Sequence, residues 1–494
     1  MGLDRRRHVR VRSTWFTLLV GGILLTLPES ASASSVLQVS WDTYSNTSSQ
    51  HATEVEPDTF AFGSTRISTF QVGRFFDGGS SNVGWASSSD GGQTWHHGVL
   101  PGTTVYQGGP YARLSDPSVA YDARVNRWLI ATLGLTGSPS VRGSAVLVSR
   151  SADAVTWTPP YTVASTASQS LDKPWVACDN TATSPFYGNC YAEWDDNADG
   201  NRIKMSTSTD SGRTWGPVRQ TANNAAGLGG QPLVQPNGVV VVPIANANET
   251  AIGAFVSTDG GASWTSPVTI AGVVDHTVAG GLRTSPLPTA EIDGAGRLYV
   301  AWQDCRFRTG CNSNDIVMSS STNGTSWSSV VRIPIDVTSS SDDHFIPGLG
   351  VDRSTSGTSA HLALTYYYYP NSNCSASTCQ LYAGYVSSSN GGSTWSAPTQ
   401  VAGPMTLSWL PQTNQGTMVG DYISTSIIGT RAWPLVEIAR APSGGVLNQG
   451  SYVVTGGLPV GGGTARVASG PVVAGASESS GVKSRRGRGP RKIR

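Results

Sequence analysis

The chain has 494 residues, with 33 Lys and Arg against 32 Asp and Glu, and only 13% of its residues are charged. A formal charge of +1 excludes a dedicated nucleic-acid surface on the folded part, because such surfaces bind phosphate through excess cation. With 58 Gly, 15 Trp and 16 Tyr among abundant Ser and Thr, and no amphipathic helical stretch, the composition excludes a helical bundle. It predicts an all-β sandwich, barrel or propeller.

The first residues read as a leader. Arg5, Arg6, Arg7, Arg10 and Arg12 precede an apolar run, Trp15 to Leu27, too short to span a bilayer. Ala31-Ser32-Ala33 offers a small-residue cleavage site. Residues 1–33 are therefore predicted to be a signal peptide. The expected product is secreted, with no membrane span in the mature chain.

A short motif then repeats. Ser208-Thr209-Asp210-Ser211-Gly212-Arg213-Thr214-Trp215 reads S-x-D-x-G-x-T-W. Asp and Ser bond the amides of their own turn, Gly accepts φ > 0, and Trp anchors the next strand. Matching copies surround Asp90, Asp259 and Asn390, and shorter ones surround Asp153 and Asn323. The six copies end at Trp95, Trp157, Trp215, Trp264, Trp327 and Trp395. A fixed period is the mark of a repeat fold.

Upstream of each motif stands a two-strand element. Six begin at a residue followed by proline: Glu56, Asp116, Lys173, Gln231, Leu287 and Ile346. A seventh begins at Gly420-Asp421-Tyr422 and lacks the motif. The spacing of about 60 residues suits one four-stranded blade. Residues 34–455 then hold seven blades in preference to six. Val36 to Trp41 is expected to supply the outer strand of the last blade.

The six cysteines form three sequence-local pairs. In an oxidising compartment they predict the disulfides Cys178-Cys190, Cys305-Cys311 and Cys374-Cys379. No C-x-x-C or neighbouring His supports zinc. Asp195-Asp196-Asn197-Ala198-Asp199-Gly200 begins like an EF-hand loop, but Ser206 stands where the closing Glu belongs. It is read as a polar hairpin turn rather than a Ca²⁺ site, and no cofactor is expected. Residues 456–494, rich in Gly, Ala and Ser and then in Lys and Arg, predict a disordered basic tail.

In a propeller the innermost strands start near the axis. Glu56, Asp116, Asp172, Lys173, Gln231, Arg283, His344, Asp421 and Tyr422 occupy those starts. Polar groups converging on one concavity predict a binding site.

The turn motifs resemble the Asp-box, or BNR repeat, of the sialidase superfamily. The resemblance covers almost the whole chain after residue 33, as repeats. It implies that Asp90, Asp210 and Asp259 are structural. It also implies a glycan or glycoconjugate as partner and an exo-acting glycoside hydrolase, similar to exo-α-sialidases. Val419-Gly420-Asp421-Tyr422-Ile423-Ser424 falls where that family carries its nucleophilic tyrosine, which suggests Tyr422. Glu193 or Glu291 would be its partner and Asp116 the acid. Arg283, Arg306 and Arg431 would supply cationic contacts for the substrate. The family's first arginine is replaced here by Glu56, with Arg74 as the nearby substitute. The alternative function is a non-catalytic propeller that binds glycans, cell wall or a protein.

Overall fold

The computed structural model describes residues 35–461 apart from Ser138, together with the short strand Arg466–Val467. The expected signal peptide and most of the expected basic tail lie outside the described residues. Within them the regular structure is strands and single 3₁₀ turns. No helix there is long and apolar enough to cross a membrane.

The chain advances as antiparallel meanders. Gln50–Phe62, Thr65–Arg74, Ser80–Ser88 and His96–Val99 form the first. Arg113–Asp122, Arg127–Thr136, Arg142–Ser151 and Tyr161–Ser165 form the next. Leu171–Cys178, Cys190–Asp196 and Arg202–Ser208 follow, and then Leu233–Val234, Val240–Asn246, Ala251–Ser257 and Val268–Gly272. Two further meanders begin at Thr289–Ile292 and Asp343–Val351. The last joins Ser424–Ile428, Arg431–Ala439 and Gln449–Val454 to the N-terminal strand Val36–Gln38. Val36 lies opposite Val454 and Gln38 opposite Tyr452, the pairing expected of the N-terminal segment.

The first strands of these meanders neighbour one another in chain order, and Ser424–Ile428 returns to pack on Gln50–Phe62. Apolar side chains fill the space between adjacent meanders. Ile67 and Trp85 meet Trp128, Ile130 and Trp157 in one such layer, and Leu129, Val146 and Val148 meet Val176 and Trp194 in another.

Four of the six residue–proline pairs, those at Glu56, Asp116, Lys173 and Ile346, sit inside their strands, whereas Gln231-Pro232 and Leu287-Pro288 stand just before theirs as the sequence suggested. Proline has no N–H for the ladder, so pairing breaks and resumes with a shifted register. This happens between Val55 and Asp58, Ser115 and Ser118, Asp172 and Trp175, and Phe345 and Gly348. The residue before each mid-strand proline takes a left-handed conformation: Glu56 (φ 55°), Asp116 (48°), Lys173 (47°) and Ile346 (48°). Non-glycine residues rarely adopt that region, and it collects at functional sites.

The repeated turn motifs are local braces. Asp210 accepts bonds from the backbone N–H groups of Arg213 (3.1 Å) and Thr214 (2.9 Å) and from the Thr214 hydroxyl (2.6 Å). The Trp215 indole donates to the Gly212 carbonyl at 3.3 Å. The shorter copies work the same way, with Asp153 accepting from Thr156 and the Trp327 indole donating to Gly324. All three predicted disulfides are closed. Cys178 and Cys190 also face each other across a strand pair.

Arg66 connects the first meander to the last. It is buried, its guanidinium lies 3.5 Å from the centroid of Trp433 and 4.9 Å from that of Trp95, and its nitrogens have no hydrogen-bond partner among the described residues. The two indole faces, together with the charge of Asp90, stabilise this cation against its burial. Trp433→Ala should therefore lower unfolding free energy by about 3–5 kcal/mol, read as a shift in the urea midpoint. An unchanged midpoint would mean that Trp433 does not carry this contact.

Candidate active site

The bulges aim three charged side chains at one place. Glu56, Asp116 and Lys173 come from the first strands of three consecutive meanders. Arg283 and Asp421 reach the same place from two loops that are themselves joined, the Arg283 N–H donating to the Thr417 carbonyl at 2.7 Å. Gly420 sits against the backbone of Glu56 at φ 149°, and a Cβ there would lie 3.1 Å from the Glu56 nitrogen. That approach is open to glycine alone.

Asp421 is the hub. Lys173 Nζ lies 2.7 Å from its Oδ2, Arg283 Nε donates to its Oδ1 at 2.7 Å, and a second Arg283 nitrogen grips Oδ2. Lys173 also faces Asp116 at 3.8 Å. These charges are almost wholly buried: Asp421 and Asp116 are each 4% exposed and Glu56 2%. Burial alone would raise the Asp421 carboxyl, but Arg283 and Lys173 more than reverse this and hold it far below the usual carboxylate range. Glu56 is pushed the other way, up to about 8, by burial and by the charges of Asp116 and Asp421. Two carboxyl groups in one site are thus held on opposite sides of neutrality, the usual mark of divided acid and base roles.

Around this core, the Gln71 amide donates to Glu56 and, at 3.1 Å, to the Ser115 hydroxyl. Arg74 donates to Gln71 Oε1 (3.4 Å) and to the Gly79 carbonyl (2.9 Å), and burial lowers it to about 10. Asp172 accepts from Asn197 at 2.9 Å and is pushed up to about 6 by burial and Asp116. The Tyr422 hydroxyl donates to the Pro117 carbonyl at 3.0 Å, and its ring meets Trp175 edge-on at 5.3 Å. Burial and the charges of Glu56 and Asp116 raise this phenol well above its ordinary range. A cavity of about 20 Å³ remains among Asp116, Lys173, Trp175, Gln231 and Tyr422, room for one water.

The structure thus brings together Asp116, Lys173, Arg283, Asp421, Tyr422, Arg74 and Asp172. It sets the other expected site residues apart. Glu193 packs against Gly230, where a Cβ would meet its carboxyl, and burial with Asp195 pushes it well above the carboxylate range. Gln231 is the exception, lining the cavity of the cluster while its oxygen accepts from the Ala290 N–H at 2.8 Å. Glu291 pairs with Arg353, and Arg306 with Asp304. Arg431 is exposed at a hairpin and donates to the Gly457 carbonyl. His344 lies beside Asp336 in a separate cluster. Glu56 was expected among the converging polar groups but without a catalytic role, and Gln71 was not among the expected site residues.

Two places invite the question of a metal. Asp315, Asp336 and His344 offer converging ligand atoms. Arg308 and Arg332 already bridge both carboxylates, with Arg308 2.6 Å from Asp315 and Arg332 2.8 Å from it. The guanidinium pair supplies the cation there. In the EF-like loop, Asn201 donates to Asp195 (2.7 Å) and Asn197 (2.8 Å), and Asp196 caps the turn. Chelating divalent cations should accordingly leave the thermal midpoint unchanged. A fall on chelation, restored by Ca²⁺, would place an ion in this loop.

Residues 137–346 match a BNR repeat-like domain. That stretch includes Lys173 and Arg283 and leaves out Glu56, Asp116 and Asp421. Comparison with curated proteins gives no match. Among solved structures, the chain is similar to a leech intramolecular trans-sialidase complexed with 2,7-anhydro-Neu5Ac (TM-score 0.44, 11% identity, 67% of this chain and 68% of that one). It is also similar to Trypanosoma rangeli sialidase (TM-score 0.44, 12% identity, 69% of this chain and 58% of that one). A third likeness is to an α-L-arabinofuranosidase of Fusarium graminearum (TM-score 0.44, 13% identity, 72% of this chain and 98% of that one).

Proposed function

We propose that this chain, which belongs to the BNR-repeat, or sialidase, superfamily, is a secreted seven-bladed propeller that hydrolyses a glycosidic bond over its central charged cluster. The seven meanders are read as the blades, with Val36–Gln38 completing the last. Residues 34–455 form this propeller, behind a signal peptide and ahead of a basic tail.

The observation that carries the reading is the pair Glu56 and Asp116. Glycoside hydrolysis needs one carboxyl that holds its proton and one carboxylate that does not. Glu56, raised to about 8, keeps a proton to give to the leaving oxygen at neutral pH. Asp116, facing Lys173, supplies the negative charge that supports an oxocarbenium-like transition state. The cavity beside Asp116 and Lys173 admits a water and no sugar ring, so the glycan rests over the cluster. Tyr422 forms a wall. Its bond to the Pro117 carbonyl and its carboxyl-rich surroundings keep it a phenol, which favours two-carboxylate chemistry over a tyrosine nucleophile.

The test is turnover of fluorogenic glycosides by three variants. Asp116→Asn should lose turnover about 10²–10⁴-fold while Tyr422→Phe keeps most of it. Loss in Tyr422→Phe alone would restore the tyrosine nucleophile implied by the resemblance to exo-α-sialidases. Binding of glycan by the wild type without turnover, unaffected in Glu56→Gln, would favour the non-catalytic propeller.

A further inference from the structure

A sugar acid is recognised through its carboxylate, and the matching protein group is a guanidinium fork or ammonium left free to receive it. The central cluster has such groups, and each is already engaged. Arg283 lays its Nε and a terminal nitrogen on the two oxygens of Asp421. Lys173 lies 2.7 Å from the same carboxylate and 3.8 Å from Asp116. Arg74 is 4% exposed and bonded to Gln71 and the Gly79 carbonyl. Asp421 therefore takes up, within the chain, the bidentate contact that a ligand carboxylate would make. We infer that Asp421 is a built-in carboxylate that fills the anion pocket of this site, so that the glycan it takes is a neutral sugar and not a sugar acid.

The physical argument is one of substitution. A sugar acid arriving at the cluster meets cations that are neutralised at short range and carboxylates at Asp116, Asp172 and Asp421. To bind through its own carboxylate it would have to expel Asp421, and that carboxylate would be left buried beside Asp116 with its cations gone. Burying an unpaired charge is strongly unfavourable. A neutral sugar needs no such exchange, since its hydroxyls donate to carboxylates and accept from the exposed edges of Lys173 and Arg283, whose side chains are 10% and 12% exposed. This inference rests on the glycan-binding reading of the cluster, but the role of Asp421 as an internal anion can be tested without it.

The experiment measures binding to matched pairs: glucose and glucuronate, galactose and galacturonate, and free N-acetylneuraminic acid, by saturation-transfer NMR. Any sugar bound by the wild type should be neutral. Tighter binding of a sugar acid than of its neutral partner overturns the inference. In parallel, acetate is titrated against the thermal midpoints of wild type and Asp421→Ala. Acetate should raise the variant's midpoint and leave the wild type unmoved, because it refills the vacated place between Arg283 and Lys173. Equal responses overturn the internal-anion role. If Asp421→Ala does not fold, Asp421→Ser, whose shorter side chain also vacates the place between Arg283 and Lys173, is used in the same titration with the same expected contrast. Absence of any sugar binding alongside acetate rescue would refute the glycan reading while supporting the filled anion pocket.

Discussion

Glu56→Gln is expected to lower glycoside turnover by about 10²–10⁴-fold while making the protein no less stable at neutral pH. The two halves of this result have one cause. The side chain keeps its shape and can still meet the Gln71 amide through its oxygen, but it has no acidic proton to give. Its carboxyl titrates near 8 when folded, against about 4.3 in an unfolded chain. A raised carboxyl binds its proton more tightly in the folded state. Stability therefore falls as pH rises from about 4.3 toward 8, because the unfolded chain ionises freely and the folded one does so only at a cost. Glutamine removes that cost. The check is a pair of denaturant curves at pH 6 and pH 8.5 beside the rate measurement. The variant should gain on the wild type as pH rises. A variant that keeps full turnover would remove Glu56 as the proton donor.

Asp421→Ala is expected to be the most destabilising change in the cluster, at about 3–5 kcal/mol. Removing that carboxylate leaves Arg283 and Lys173 buried with their main partner gone, and truncating one side of a buried charge network costs more than the network contributes. The pH dependence has the opposite sign to that of Glu56. The Asp421 carboxyl is held far below its ordinary value. Its contribution is fully present above about pH 4, the unfolded carboxyl's range, and is lost as pH falls below that. The difference between wild type and variant should thus shrink in acid. A difference that stays constant from pH 7 to pH 3 would mean that the loss came from packing and not from charge.

The all-β class, the braced turns, the disulfide pairs and the N-terminal strand's pairing with Gln449–Val454 were all legible in the sequence. They depend on local chemistry that recurs: an Asp turning back on its own amides, a Gly at positive φ, a Trp closing the motif. Part of the site was legible for the same reason, since a polar residue before proline recurs at Glu56, Asp116 and Lys173. What those pairs do was not. The sequence suggests strand starts, whereas the missing N–H of proline makes mid-strand bulges whose left-handed residues turn their side chains together. Asp421, Lys173 and Arg283 were each expected in the funnel, but their pairing was not, because Asp421 meets Lys173 across 248 positions and Arg283 across 138 and no local pattern records it. Glu193 was named as the partner the resemblance implies for Tyr422 and His344 from its strand start, and each stands among other charged groups, Glu193 by Asp195 and His344 by Asp336.

The most direct test of the charged cluster as a hydrolytic site is the pH profile of kcat/KM for the wild type on whichever neutral fluorogenic glycoside it cleaves. The rate should fall on the alkaline side with an apparent pKa near 8, as Glu56 loses the proton it must donate, and this limb should vanish in the residual activity of Glu56→Gln. A profile flat from pH 6 to pH 10, or an alkaline limb that survives in Glu56→Gln, would contradict the assignment of Glu56 and with it the proposed chemistry.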